Sequence, residues 1–191
     1  MRSLPRLLPV AALVGVSFTG LAAATFVFAG NEPVVSLAAL RVVEDAANKK
    51  LQPESADPWE LLGDARGTYL PGYGAVFTFE MSLVNVMPIN PFHMEVTPQE
   101  VKAIHERKIR KLPVLRTAMC ELIARAASSL NTLPPTEQIT FEVLLDNFSF
   151  EDRTGLPRRL TMTASRQKLL DAIAHRATAA QIADLIEVRE E

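Results

Sequence analysis

An uncharged apolar stretch runs from Leu7 to Phe28, behind Arg2 and Arg6, and ends in Val27-Phe28-Ala29. A run of about 22 residues without a charge has no polar face, so it cannot lie as an amphipathic helix on a solvated core. A basic start, an apolar middle and small residues at the end form the layout of a secretory signal. Cleavage is expected after Ala29, or else after Ala24 in Ala22-Ala23-Ala24. The run is also long enough to cross a bilayer, so an uncleaved anchor over residues 7–28 is the other expectation, although Pro9, Gly15 and Gly20 weaken such a helix. The expected organisation is a signal peptide or membrane anchor over residues 1–29 and a single domain over residues 30–191. The expected location is periplasmic or extracellular, with or without attachment to the membrane.

The chain holds 20 basic and 22 acidic residues. Arg2 and Arg6 lie within residues 1–29, so residues 30–191 carry 18 basic against 22 acidic side chains, a net charge of −4. That balance does not attract nucleic acid. Cys120 is the one cysteine, which excludes an internal disulfide and leaves stability to packing. It sits beside the apolar stripe Leu112, Leu115, Met119, Leu122, Ile123, Ala126 and Leu130, as a small packed thiol would.

Helical spacing of Val35, Leu37, Ala38, Val42, Val43, Ala46 and Ala47 predicts a helix over residues 33–51. Asp57-Pro58-Trp59-Glu60 has the form of a helix start, with an oxygen-bearing cap and proline in the first turn. Ala75, Phe77, Phe79, Met81 and Leu83 alternate with polar residues and predict a strand with one buried face. Ile139, Phe141, Val143 and Leu145 predict a second strand, and a phase change toward Phe148 and Phe150 suggests a bulge near Asn147. Leu160, Met162 and Ala164 predict a third, paired with the second as an antiparallel hairpin across Thr154-Gly155.

Thr97-Pro98-Gln99-Glu100 opens a long helical region with a capping box. Pro113 is expected to divide it into helices over residues 98–111 and 113–130, because proline lacks an amide and disfavours a helical residue before it. Ser165 is expected to cap a helix reaching Arg176, and Thr178-Ala179-Ala180-Gln181 forms a second capping box. Residues 182–191 suit either a short helix or an edge strand. The fold class that follows is α+β: an antiparallel sheet with helices packed on one face.

The usual catalytic signatures are missing. His93, His105 and His175 match no metal-site spacing, and no nucleophile elbow, phosphate loop or dinucleotide fingerprint occurs. No metal and no cofactor is expected. Asn147-Phe148-Ser149 matches a glycosylation acceptor, for which chance is a sufficient explanation.

Gly63, Gly67, Gly72 and Gly74 interleave with Trp59, Tyr69 and Tyr73, the only tryptophan and both tyrosines of the chain. Rings with a polar edge beside pliable backbone can form a binding surface, so Trp59, Arg66, Tyr69 and Tyr73 are the candidate ligand or partner residues. The competing reading makes Pro71-Gly72 a turn and the rings a lid on the core. Arg107, Lys108, Arg110 and Lys111 form a basic run that could meet anionic head groups, or that is simply a solvated helix face. Glu80 and Glu142 both fall on polar strand positions, and paired carboxylates are the minimum kit for hydrolysis if the strands are neighbours. The expected function is a non-enzymatic binding or assembly domain of the cell envelope, with a protein or small molecule as partner. The alternative is an envelope hydrolase using Glu80 and Glu142.

Overall fold

The computed structural model describes residues 35–52, 59–85 and 96–191. They belong to one compact unit, Glu32–Glu191. The expected signal or anchor lies outside the described residues. Among the described residues no helix is long and apolar enough to cross a membrane.

Helix α1 spans Leu37–Lys50, opened by the Ser36 hydroxyl, which accepts from the Ala39 amide. It buries Leu40, Val43 and Ala47, one residue per turn along a single stripe. The expected helix start at Trp59 is not there. Glu60–Leu61 is instead a short strand, β1, paired with Met81 and Ser82. Backbone pairing satisfies these amides in place of helical bonds.

Strand β2, Arg66–Leu70, and strand β3, Gly74–Ser82, form an antiparallel hairpin. β2 lies in the glycine-rich passage and shows no apolar alternation; its outward side chains face solvent. Gly72 and Gly74 carry φ of 81° and 140°, which only glycine adopts without strain. A Cβ at Gly74 would also overlap the Gln138 backbone.

Helix α2 then runs unbroken over Pro98–Ser129, and both bonds of the Thr97–Glu100 capping box form. The expected division at Pro113 does not occur. Leu112 on one side, and Leu115, Met119, Leu122, Ile123 and Ala126 on the other, bury in the same core, and Ile104 is buried one turn before Lys108. Their burial, at about 1.5–3 kcal/mol for each large side chain, outweighs the roughly 3 kcal/mol that an interior proline costs.

Strand β4, Gln138–Leu145, pairs with β3 in parallel, with Phe77 opposite Phe141. This corrects the antiparallel expectation. Parallel neighbours need a long crossover, and α2 supplies it, so the sheet is mixed. β4 ends at Leu145 rather than bulging at Asn147; Phe148 and Phe150 stack on each other at 5.5 Å in the loop beyond. Strand β5, Arg159–Ser165, completes the expected antiparallel hairpin with β4. Helix α3, Arg166–Ala174, and the short helix α4, Ala179–Ala183, follow. Ser165 makes no capping bond, whereas the Thr178–Gln181 box is complete. Strand β6, Glu187–Glu190, closes the edge beside β5, settling the open choice for the C-terminal residues.

The six-stranded sheet has the order β1-β3-β4-β5-β6, with β2 also on β3. The helices cover one face, and the core is the predicted one. Phe77 and Phe141 stack at 4.9 Å, and Phe79, Val143, Leu145, Leu160 and Met162 join the α2 stripe.

Candidate site on the uncovered sheet face

Alternation sends every second strand residue away from the helices. Register then aligns these residues in rows across the sheet. One row runs Thr68, Val76, Thr140, Thr163, Glu187; the next runs Arg66, Thr78, Glu142, Thr161, Arg189. Glu80 lies beyond, opposite Leu144, whose partner on β5 is Arg159. The face is therefore rich in hydroxyls and in charges of both signs.

Tyr73 lies over this face. The β2–β3 turn is closed by the Tyr73 amide donating to the Leu70 carbonyl at 3.0 Å, and the Tyr73 carbonyl accepts from the Gln138 amide at 2.9 Å. The Tyr73 hydroxyl is 3.1 Å from Thr140 Oγ1, which is 3.0 Å from Thr163 Oγ1. Three hydroxyls thus form a chain across β4 and β5, and Tyr73 remains 43% exposed beside a buried Thr140. Beside it, Glu187 holds the Arg189 guanidinium above its ordinary pKa, with a smaller contribution from Tyr73.

The turn has a support that the sequence did not announce. Glu137 Oε1 accepts from the Gly72 amide at 2.9 Å and from the Tyr69 hydroxyl at 3.2 Å. Burial, and then the Glu137 carboxylate, push the Tyr69 phenol up in pKa. Glu137 is buried, and its Oε2 has no hydrogen-bond partner among the described residues. Its position in Pro134-Pro135-Thr136-Glu137, 65 residues from Gly72, carries no local signal.

The four candidate residues do not surround one site. Arg66 and Tyr73 share the uncovered face. Tyr69 is opposite Ala75 on the helix side and packs against the core. Trp59 is buried and its indole donates to the Leu51 carbonyl at the end of α1. With Lys50, Pro113, Val114, Thr117 and Glu121, Trp59 lines a separate groove of about 490 Å³ between α1 and α2. Period and composition cannot tell which face of a hairpin a ring takes when glycine interrupts the pattern.

Lys108 leaves the basic run. It is 1% exposed, and its ammonium bonds Glu151, Asn147 Oδ1 at 2.9 Å and the Asp146 carbonyl at 3.3 Å. It shares the buried stripe of α2 with Ile104 and Leu112, which helical spacing imposes. Arg110 is exposed, while Arg107 and Lys111 are half-buried and have partners of their own.

Glu80 and Glu142 do stand on adjacent strands and on one face. They are offset by two residues in register, which at about 3.3 Å per residue and 4.8 Å between strands puts their Cα atoms about 8 Å apart. Glu142 is engaged by Arg159 at 3.4 Å. Glu80 is exposed and borders a cleft of about 460 Å³ with Leu144, Asp146, Arg158, Arg159 and Glu191.

The ring nitrogens of His105 and His175 face the carbonyls of Asp152 at 3.0 Å and Asp171 at 2.7 Å. His93 lies outside the described residues. Among the described residues, no group of three or more His, Cys, Asp and Glu side chains gathers as a metal site would.

No family model, curated protein or solved structure matches this chain.

Proposed function

We propose that this chain is an exported, non-enzymatic binding or assembly domain of the cell envelope whose partner is a protein lying across the uncovered sheet face at Tyr73. One observation carries the reading. Tyr73 is held by a glycine-framed turn and a hydroxyl chain, yet the residue stays 43% exposed. A rigid, exposed tyrosine loses little conformational entropy on binding, and tyrosine and arginine are enriched among interface anchors. The surface around it is a sheet face rather than a concave pocket, which suits a protein better than a small molecule. The uncharged run after Arg2 and Arg6 supports placement in the envelope.

Replacing Tyr73 by alanine in the full-length chain tests this. The variant is expected to melt within about 1 kcal/mol of the wild type, as surface changes do, while losing a partner that the wild type retains from solubilised envelope. Tyr73→Phe, which keeps the ring, is expected to retain most capture. A loss of several kcal/mol in Tyr73→Ala, or unchanged capture, overturns the reading.

The hydrolase reading is favoured by the adjacency of Glu80 and Glu142. Against it, a general acid needs a carboxyl in apolar enclosure; Glu80 is exposed and Glu142 is paired with Arg159.

A further inference from the structure

The two edges of the sheet are finished differently. On the β2 side, α1 occupies the outward amides: Asn48 Oδ1 accepts from Ala65 at 2.8 Å and Glu44 Oε1 from Gly67 at 2.7 Å. A strand arriving there would have to displace both side chains. Among the described residues, none covers the β6 side in this way. Arg159 and Glu191 exchange both backbone hydrogen bonds at 3.0 Å, so by antiparallel alternation Arg189 and Glu187 bond to β5, and Val188 and Glu190 turn their amides and carbonyls outward. No described residue hydrogen-bonds those outward groups.

We propose that β6 is a self-association edge: a second copy of this chain pairs its β6 antiparallel to the first, about a two-fold axis through Val188, joining two six-stranded sheets into one. Backbone and charge select the same register. With the axis at Val188, the two Val188 residues exchange a pair of hydrogen bonds. Each Glu190 amide reaches the Ile186 carbonyl of the copy, whose own amide is already bonded to Ala183. Glu187 then stands opposite Arg189 of the copy, twice, at non-hydrogen-bonded positions where side chains approach most closely. Both residues lie on the uncovered face, and within one chain they already pair at 2.7 Å, so two ion pairs merge into one alternating cluster. On the helix side the two Val188 side chains, each 45% exposed, meet each other.

The other two-fold register, centred on Arg189, opposes arginine to arginine and Glu187 to Glu191, and like charges directly opposite are destabilising. Short charged edges ordinarily keep foreign strands away. Here the signs repel most strands and match their own copy. Four residues per strand bury less than the roughly 1,200 Å² of lasting complexes, so the dimer is weak and its population rises with concentration. It also aligns the Tyr73 faces of both copies on one side, though it does not depend on the reading of that face.

Charge exchange on the full-length chain in detergent tests the register by sedimentation velocity over a concentration series. Glu187→Arg is expected to weaken dimerisation tenfold or more, and Glu187→Arg with Arg189→Glu to restore it, since the doubly exchanged edge is again self-complementary. In a Cys120→Ser background, Val188→Cys is expected to form a disulfide dimer under mild oxidation, because opposed Cα atoms stand about 5.5 Å apart, and Gln181→Cys on α4 is expected not to. A wild type that stays monomeric at all concentrations, a dimer indifferent to Glu187→Arg, a double variant as weak as the single, or equal crosslinking at positions 181 and 188 each overturns the proposal. Circular dichroism of each variant shows that the fold is retained.

Discussion

Lys108 and Glu151 form an ion pair from which solvent is excluded on both sides, 1% of each side chain being exposed. It ties the middle of α2 to the loop after β4, 43 residues away. Removing one partner of such a pair strands a buried charge at a cost of about 3–5 kcal/mol, whereas replacing both with apolar groups is often neutral. Lys108→Met is therefore expected to lose that amount in urea unfolding, and Lys108→Met with Glu151→Leu to recover most of it. A single variant within 1 kcal/mol of the wild type would contradict the burial.

Pro113 lies inside α2 with its ring exposed. Alanine there restores an amide that can reach the Ile109 carbonyl and removes the ring's clash with it. Pro113→Ala is expected to stabilise the domain by about 1–3 kcal/mol, read as a higher Tm. A lower Tm would mean that the helix geometry is adapted to the ring.

Gly74 and Gly63 should differ sharply in how much alanine costs. Gly74 combines φ of 140° with a Cβ direction filled by the Gln138 backbone, so Gly74→Ala is expected to cost about 3 kcal/mol or more. Gly63 has nothing within 4 Å of that direction, and its substitution should stay within about 0.5 kcal/mol. Thermal melts of the pair check the β3–β4 contact directly.

Burial holds the Cys120 thiol above its ordinary pKa of 9.0, partly opposed by a backbone hydrogen bond. The folded pKa is raised, so the thiol's contribution to stability is complete below pH 9.0 and is lost as pH climbs through the folded value. Cys120→Ala is expected to flatten the alkaline decline in stability. Native Cys120 should react with a disulfide reagent at pH 8 more slowly than the urea-unfolded chain, because the thiolate is the reactive form. Equal rates would place the thiol in free solvent.

What the sequence determined by itself is what depends on neighbours a few residues apart. The alternation from Ala75 to Leu83, the hairpin across Thr154-Gly155 and the capping boxes at Thr97 and Thr178 are legible, because side-chain period and capping are local properties. So is the membership of the core, since Phe77, Phe79 and Phe141 have nowhere else to put their apolar area. Tertiary structure decided the rest. It made β3 and β4 parallel neighbours, kept α2 whole through Pro113, turned Lys108 inward to Glu151, and separated Tyr73 from Tyr69 and Trp59 on opposite faces. It also placed Glu137 under the Tyr73 turn and left β6 as an edge that no described residue covers. Each of these rests on groups tens of residues apart, whose burial and pairing energies exceed the local preferences they override. A helix preference or a charge pattern states what a segment can do alone, and only the packed chain supplies the partner that decides among those options.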